Sequence, residues 1–341
     1  MLDQPSHTPF TGPLLQVRDL TLHYRTRQGD VRAVDGVTFS LGRGQVLGLV
    51  GESGCGKTSL GMGLLKLLPS NARLVRGEII FDGQDLAPLN DAQMRRYRWR
   101  RIAMIFQAAM NALDPVYRVG EQILEAMEAH AWPGIEDGPA GQKRRQAREK
   151  VKELFRLVGL DPELMDRYPH ELSGGMRQRA VIAMSLACRP DLVIADEPTT
   201  ALDVIVQERI LRELKSIQKE LGLSLLYITH DVAVVAEVAD QVGVMYAGQL
   251  VELGDTPQVF HQPMHPYTAG LLASFPSIRG EKRPLAALPG EPPSLVAPPS
   301  GCRFHPRCPR ATKECRQEVP PVVGQGNAWA ACWHPLGAAQ P

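Results

Sequence analysis

The sequence lacks a long apolar run. No stretch of its 341 residues approaches the ~18 consecutive apolar residues that a membrane-spanning helix requires. The N-terminal segment MLDQPSHTPFTGP is polar and Pro-rich, and it lacks the basic start and apolar segment of a signal peptide. We therefore expect an intracellular protein whose contact with a membrane is made through a partner.

An excess of charge is also lacking. The 38 Lys and Arg residues nearly balance the 37 Asp and Glu residues, for a net charge of +1. A balanced charge gives no overall attraction to nucleic acid or anionic lipid, so no nucleic-acid partner is expected. The length allows two or three domains or lobes with a sizeable core.

The six cysteines are unevenly distributed, and none of their spacings is C-x-x-C. A reducing cytosol would keep Cys55 and Cys188 as thiols. The other four are crowded near the C-terminus, where four thiolates suit Zn²⁺ or an iron–sulfur cluster, while free or disulfide-bonded thiols stay open as alternatives. A structural staple is the expected role, because a short Pro-rich segment has little core of its own. These four are Cys302, Cys308, Cys315 and Cys332.

A Gly-rich segment, GESGCGKT, occupies Gly51–Thr58. An apolar run, Val46–Val50, precedes it, and apolar residues at helical spacing follow in Ser59–Leu68. Strand, Gly-rich loop and helix are the context in which G-x-x-x-x-G-K-[ST] binds phosphates. Glycines let backbone N–H groups approach phosphate oxygens, and the helix adds its positive end. The segment therefore predicts a mononucleotide site.

Two side chains of this loop have separate expected roles. Lys57 can reach the β- and γ-phosphates, and the Thr58 hydroxyl can ligate Mg²⁺. The predicted nucleotide-binding residues of the segment are Gly51, Glu52, Ser53, Gly54, Cys55, Gly56, Lys57, Thr58 and Ser59.

Two adjacent carboxylates, Asp196 and Glu197, end the apolar segment DLVIADE. Such a pair at a strand end is costly unless a cation or a water uses it. Asp196 can hold Mg²⁺ through its water shell, and Glu197 can polarise an attacking water. An exposed acidic turn is the alternative.

Further polar residues follow predicted buried strands. Gln107 follows residues 102–106, and His230 follows residues 223–229. In parallel α/β sheets the carboxyl ends of the strands face the ligand. Each residue alone could be structural, but beside a predicted nucleotide both become candidate site residues.

Two more candidates have simpler alternatives. Ser173 of LSGGMRQR predicts an N-cap, and a Ser with two Gly at a helix start can form a second anion site. A capped helix with a flexible entry is the alternative. Tyr24 ends a predicted strand, where it could stack on an adenine ring or be an ordinary strand aromatic.

Taken in order, GESGCGKT, Gln107, LSGGM, LVIADEP, Ala201-Leu202-Asp203 and His230 resemble the ATP-binding subunits of ATP-binding-cassette (ABC) transporters. The resemblance covers roughly residues 14–261. It implies an α/β fold: a phosphate-loop (RecA-like) core, an antiparallel β subdomain that places Tyr24 against adenine, and a helical subdomain at about residues 111–188.

The resemblance also implies how the site works. Two cassettes close head to tail, so that each ATP lies between the phosphate loop of one and Ser173, Gly174 and Gly175 of the other. Glu197 is then the catalytic base, and His230 binds the γ-phosphate. Asp203 is implied to lie at the dimer interface. Gln107 is implied to sense Mg²⁺ and to couple the site to the membrane subunits. The residues implied to bind Mg²⁺ are Thr58, Gln107 and Asp196. Met176 stands where many members have Gln, and we expect activity to survive this difference.

The C-terminal part begins with prolines between Pro257 and Pro299, which predict a linker or a loosely packed extension. It resembles the tail of oligopeptide and dipeptide importer ATPases, through HPYTAGLL (residues 265–272) and GCRFHPRC (residues 301–308). Some relatives with this tail serve nickel or glutathione. The resemblance favours a [4Fe–4S] cluster over Zn²⁺ at the four cysteines. It divides the chain into a tail (1–13), a nucleotide-binding domain (14–261) and a Pro-rich, Cys-rich extension (262–341).

The same resemblance implies the partners. These are two transmembrane permease subunits, a second ATPase subunit that is identical or homologous, and indirectly an extracytoplasmic peptide-binding protein. The expected place is the cytoplasmic face of the cell membrane. A soluble ABC ATPase that acts on nucleic acid or ribosomes, and an exporter ATPase, are the alternatives.

Overall fold

The computed structural model describes residues 12–107, 112–199, 203–274, 288–325 and 328–337. Residues 1–11 of the predicted tail, Ala201 and Leu202 of the family motif, and residue 111 at the predicted start of the helical subdomain lie outside the described residues. Parts of the predicted extension, at 275–287, 326–327 and 338–341, also lie outside them.

The described strands form two sheets. In chain order the strands are β1 (Leu15–Thr26), β2 (Gly29–Leu41), β3 (Val46–Val50), β4 (Ala72–Phe81), β5 (Gln84–Asp85), β6 (Ile102–Ile105), β7 (Leu192–Asp196), β8 (Ser224–Ile228), β9 (Gln241–Tyr246), β10 (Gln249–Asp255), β11 (Val322–Gln325) and β12 (Ala328–Ala331). The antiparallel sheet has the order β2-β1-β4-β5. The larger sheet has the order β11-β12-β10-β9-β3-β8-β7-β6, in which β9, β3, β8, β7 and β6 are parallel.

The helices cover the faces of the larger sheet and form a separate lobe. They are α1 (Lys57–Leu64), α2 (Asp91–Met94), α3 (Val119–Ala129), α4 (Ala140–Leu157), α5 (Gly174–Leu186), α6 (Val204–Leu221), α7 (Val232–Val238), α8 (Thr256–His261), α9 (Pro266–Ala273) and α10 (Lys313–Gln317). Within the described ranges, no helix is both long enough and apolar enough to cross a membrane.

Strand β3, which precedes the Gly-rich loop, is buried on both faces. Side chains alternate across a strand, so Leu47 and Leu49 pack with the antiparallel sheet, whereas Val46 and Val50 pack with the helical side. A continuous apolar run of this kind suits a central parallel strand. The predicted strand before the Gly-rich loop is therefore confirmed, and it fixes the start of that loop.

Helices α3, α4 and α5 pack together as the helical lobe. One face of α4 buries Ala147, Val151 and Phe155, which recur at helical spacing. Charged residues flank this face, where Arg148 pairs with Glu121 of α3 (3.0 Å) and with Asp166 (2.9 Å). The buried residues of α4 belong to the same core cluster as Val46 and Val50 of β3, while Ser173, just before α5, is exposed.

The region after β10 differs from the linker or loosely packed extension that its prolines predict. Pro257 and Pro266 lie in the first turns of α8 and α9, where a missing N–H costs nothing. The ring of Tyr267 lies 4.5 Å from that of Tyr246 and 5.3 Å from that of Phe304. Strand β12 also pairs with β10 in the large sheet. The described parts of the C-terminal segment that carry Tyr267, Phe304 and β12 are therefore packed against the core.

Candidate functional site

The Gly-rich loop between β3 and α1 needs its glycines at defined points. Gly51, Gly54 and Gly56 have φ angles of 154°, 77° and 108°. A Cβ added at Gly51 would lie 2.1 Å from the carbonyl oxygen of Met245, and one at Gly56 would lie 2.0 Å from that of Ala33. Side chains are thus excluded at two of the three positions, and the backbone can turn its N–H groups outward.

Lys57 lies under this loop with only 6% of its surface exposed. Its Nζ donates to the carbonyl oxygens of Gly51 (2.8 Å) and Glu52 (3.1 Å) and lies 3.6 Å from the Sγ of Cys55. Burial raises the pKa of the Cys55 thiol, so that group stays neutral. The loop therefore carries a cation at its base, while Ser53 and Thr58 are exposed on it.

Asp196 ends β7 with 1% of its surface exposed. Burial raises the pKa of this carboxyl group. A hydrogen bond with the Thr58 side chain acts in the opposite direction and lowers it. Its Oδ1 has no hydrogen-bond partner among the described residues. A buried carboxylate with an unsatisfied oxygen beside a hydroxyl is a donor set that fits Mg²⁺.

Three predicted residues meet at the carboxyl ends of neighbouring strands. The Nε2 of Gln107 donates to Oε2 of Glu197 (2.9 Å), and the Nδ1 of His230 lies 2.7 Å from Oε1 of Glu197. Glu197 has a positive φ of 46°, and its N–H donates to the carbonyl oxygen of Ile228 (2.8 Å). The structure thus brings Gln107, Glu197 and His230 together, as their strand-end positions predict.

The predicted adenine contact, Tyr24, lies beside the start of α1. Its hydroxyl donates to Oγ of Ser59 (3.1 Å), and its ring is partly buried. This contact connects the antiparallel sheet to the helix that follows the phosphate loop, and it places both predicted residues at one edge of the loop.

Four predicted residues lie apart from the loop, at the starts of two helices. Oγ of Ser173 accepts from the N–H of Met176 (3.3 Å), which caps α5 as predicted, and Oδ1 of Asp203 accepts from the N–H of Val206 (3.0 Å), which caps α6. A Cβ at Gly175 would lie 2.9 Å from Cγ1 of Val206. Among the described residues, no hydrogen bond or ion pair joins Ser173, Gly174, Gly175 or Asp203 to the phosphate loop.

Two residues that contact the loop are not predicted by the sequence. The N–H of Glu52 donates to Oη of Tyr267 (3.0 Å), and the Glu52 carboxylate accepts two hydrogen bonds from Arg307 (2.7 and 2.9 Å). Both contacts join distant parts of the chain. The local motifs carry no signal for them, although both residues lie within the two tail segments that resemble peptide importers.

The four C-terminal cysteines line one cavity, and each is a free thiol. Burial raises the pKa of both Cys302 and Cys332 to about 11. Within the described ranges, no three His, Cys, Asp or Glu side chains are grouped so that they could hold a metal ion. The thiols thus line one cavity without being grouped as metal ligands, and the iron–sulfur cluster stays a prediction.

Comparison with protein families gives two matches that lie in order along the chain. Residues 34–200 match the family model described as ABC transporter. Residues 251–315 match the model described as oligopeptide/dipeptide transporter, C-terminal region.

The curated relatives match over nearly their whole length. The chain is 48% identical to the probable peptide ABC transporter ATP-binding protein y4tR of Sinorhizobium fredii, over 95% of this chain and 96% of the relative. It is 46% identical to the oligopeptide transport ATP-binding protein OppD of Bacillus subtilis, over 91% and 85%. It is 42% identical to the dipeptide transport ATP-binding protein DppD of Escherichia coli, over 96% and 98%.

A solved structure shares the fold. The dimeric structure of MJ0796, a bacterial ABC transporter cassette, is similar with a TM-score of 0.61 at 25% identity, over 71% of this chain and 98% of that chain. The loop geometry, the Asp196–Glu197 strand end and these matches agree in one conclusion. The chain belongs to the family of ABC transporter ATP-binding proteins, the ATPases that couple ATP hydrolysis to transport.

Proposed function

We propose that this protein is the ATPase subunit that powers uptake of dipeptides or oligopeptides through an ABC importer. The observation that carries the proposal is the match of residues 251–315 to the C-terminal region of oligopeptide/dipeptide transporters. The relatives named for peptide, oligopeptide and dipeptide transport support it, because they match this region as well as the cassette.

The loop and its neighbours bind the nucleotide. Lys57 and the loop N–H groups hold the phosphates, and Tyr24 stacks on adenine. Thr58, Asp196 and Gln107 would hold Mg²⁺, which would neutralise charge on the phosphates. The contact between Thr58 and Asp196 and the unsatisfied Oδ1 of Asp196 support this set.

Glu197 accepts the proton of the attacking water. Its carboxylate is held between Gln107 and His230, so both oxygens have a fixed direction. His230 binds the γ-phosphate and keeps the water in line, which its exposed position at the end of β8 allows. Gln107 contacts the base directly, and the family resemblance implies that it also couples the site to the permease subunits.

A second cassette, identical or homologous, completes the site. Ser173, Gly174 and Gly175 lie at the exposed N-terminal end of α5, and they contact the γ-phosphate bound to the partner's loop. Asp203 faces the same interface. The solved cassette of similar fold is itself dimeric, which supports this arrangement. Closure in the presence of ATP and opening after hydrolysis then drive two permease subunits.

We also propose the organisation of the chain. Residues 1–13 are a tail, residues 14–261 are the nucleotide-binding domain with a helical subdomain at about 111–188, and residues 262–341 are the extension. The subunit acts at the cytoplasmic face of the membrane, and an extracytoplasmic peptide-binding protein delivers the solute without touching this chain.

We also propose that Cys302, Cys308, Cys315 and Cys332 hold a [4Fe–4S] cluster as a structural staple. Their convergence on one cavity supports it. Anaerobically purified full-length protein should contain about four iron and four sulfide per chain, and it should absorb in the visible range. A colourless protein with one zinc per chain would replace the cluster by a Zn²⁺ site, and a metal-free protein would reject both.

Uptake tests the proposed function. The chain and its candidate permease subunits are produced together in cells that lack peptide uptake, and accumulation of a labelled dipeptide and a labelled pentapeptide is measured. Uptake that requires the intact chain and stops with Glu197→Gln supports the proposal. Uptake of nickel or glutathione alone would reassign the solute. Co-purification with ribosomes or nucleic acid instead of permeases would reject the importer.

A further inference from the structure

We propose that Arg307 is a positioning residue of the phosphate loop, which through its ion pair with Glu52 sets the affinity of the loop for ATP. Its Nη1 donates to Oε2 of Glu52 (2.7 Å), and its Nη2 donates to Oε1 (2.9 Å). Two parallel bonds of this kind fix direction as well as distance. The inference rests on ATP binding and not on which solute is carried.

The surroundings of Arg307 hold its side chain in one orientation. Only 5% of the side chain is exposed. Its Nε donates to the carbonyl oxygen of Pro289 (2.7 Å), and its Nη1 lies 3.3 Å from Oη of Tyr246. The guanidinium carbon lies 6.0 Å from the centre of the Phe304 ring. Pro289 and Phe304 belong to the extension, and Tyr246 belongs to β9. Because they fix the guanidinium of Arg307, they also fix the carboxylate of Glu52 that it binds.

Glu52 is held at three points. Its N–H donates to Oη of Tyr267 (3.0 Å), and its carbonyl oxygen accepts from Nζ of Lys57 (3.1 Å). The third point is the pair with Arg307. Since Lys57 is the phosphate-binding cation of the same loop, a displaced Glu52 moves an oxygen that Lys57 contacts and rotates the neighbouring amides. The shape of the loop therefore depends on Arg307.

Arg307 also removes a conflict of charge. The Glu52 carboxylate is 25% exposed and lies on the loop that receives the polyanionic phosphates. Two anions in a partly buried site repel more strongly than in water. The guanidinium neutralises the carboxylate, and its removal leaves an unpaired charge close to the ligand. The loss should therefore weaken binding of ATP, which is the measurement that isolates this role.

The experiment compares full-length Arg307→Gln, Glu52→Gln and the double variant with the unchanged protein. Arg316→Gln is the matched control, because Arg316 is an exposed arginine of the same extension. The dissociation constant for ATP is measured with the purified protein, and KM and kcat are measured in the assembly with permeases. Melting temperatures identify variants that do not fold.

Arg307→Gln should raise the dissociation constant and KM for ATP on the order of tenfold, with a much smaller change in kcat. The double variant should recover to the level of Glu52→Gln, about threefold above the unchanged protein, because the unpaired carboxylate is gone. Arg316→Gln should change nothing.

An unchanged dissociation constant in folded Arg307→Gln would overturn the proposal, and so would a double variant that binds ATP more weakly than Arg307→Gln. If Arg307→Gln does not fold, Glu52→Gln decides alone. In that case an unchanged affinity for ATP rejects the proposal, and a threefold loss supports it.

Discussion

Nδ1 of His230 lies 2.7 Å from Oε1 of Glu197, while Oε2 of the same carboxylate accepts from Gln107. The carboxylate is thus held from two neighbouring strands, β6 and β8, at the end of β7. Both oxygens of the Glu197 carboxylate therefore have a fixed direction, which suits the role of base proposed for it.

Glu197→Gln should abolish turnover while ATP binding survives. An amide keeps the shape and a hydrogen-bonding oxygen but cannot accept the proton of water, so we expect a fall in kcat of about 10²- to 10⁴-fold. Phosphate release and ATP binding by the purified protein measure the two effects. Glu220→Gln, at an exposed position of α6, is the control. Normal phosphate release by Glu197→Gln would exclude Glu197 as the base.

Asp196→Asn should stabilise the ATP-free protein and weaken the ATP hydrolysis that Mg²⁺ supports, measured as phosphate release at increasing Mg²⁺ concentration. Burial raises the pKa of this carboxyl group, so ionising it at neutral pH costs free energy of folding. Asn keeps an acceptor for Thr58 without that cost, and the melting temperature in a chelator should rise by about 2–4 °C. A lower melting temperature would show that the carboxylate contributes to stability without the metal.

The raised pKa of Asp196 also makes the stability of the folded protein depend on pH. The folded state binds the proton of Asp196 more tightly than the unfolded state, so the contribution of this group to stability is present at low pH and is lost as the pH rises through the folded pKa. The advantage of Asp196→Asn over the unchanged protein should therefore shrink as the pH is lowered below this pKa. Chemical denaturation at several pH values measures it.

His265 should make the protein sensitive to acid. Burial lowers its pKa to about 4, and its Nδ1 accepts from the N–H of Tyr267 (3.0 Å), so the ring is neutral in the folded state. The unfolded state takes up a proton below the ordinary pKa near 6.5. Stability from this group is thus present above about pH 6.5 and falls by roughly 3 kcal/mol as the pH approaches 4.

Urea denaturation of full-length His265→Asn tests this sensitivity. Asn keeps an oxygen acceptor for the cap of α9 but does not titrate. The free energy of unfolding that the protein loses between pH 7 and 4 should therefore be smaller in the variant by roughly 3 kcal/mol. An unchanged slope would assign the acid sensitivity to other groups.

Gly51→Ala should destabilise the fold far more than Gly54→Ala. Both positions have positive φ, but a Cβ at Gly51 meets the carbonyl oxygen of Met245 at 2.1 Å, whereas nothing lies within 4 Å of a Cβ at Gly54. We expect a loss of about 1 kcal/mol from backbone strain at Gly54 and of more than about 3 kcal/mol at Gly51. Urea midpoints measure both, and equal losses would contradict the steric explanation.

Local patterns predict the phosphate loop and the end of β7. The buried apolar run, the glycines and the following helix are adjacent in the chain, and the strand-end rule then brings Gln107, Asp196, Glu197 and His230 to one edge of the sheet. Their roles in catalysis stay predictions, since their positions alone do not show what each side chain does.

The contacts of the loop with the C-terminal segment could not be predicted. The pair of Glu52 with Arg307 spans 255 positions, and that with Tyr267 spans 215. No periodicity or spacing encodes a contact at that range. The prolines from Pro257 onward suggest breaks in structure, whereas a proline in the first turn of a helix begins it. For that reason the linker prediction does not hold at Pro257 and Pro266, which lie in α8 and α9, while residues 275–287 of the same stretch lie outside the described residues.

The pairing of β12 with β10 has a consequence for how the chain matures. Residues 328–331 are synthesised after β10, and until they dock, the outer side of β10 offers unpaired N–H and C=O groups to any neighbouring polypeptide. A prematurely terminated product would keep that side open permanently and would be prone to self-association. Strands β11 and β12 therefore protect the edge of the sheet. Without them, the exposed edge of β10 can pair with another chain and begin aggregation.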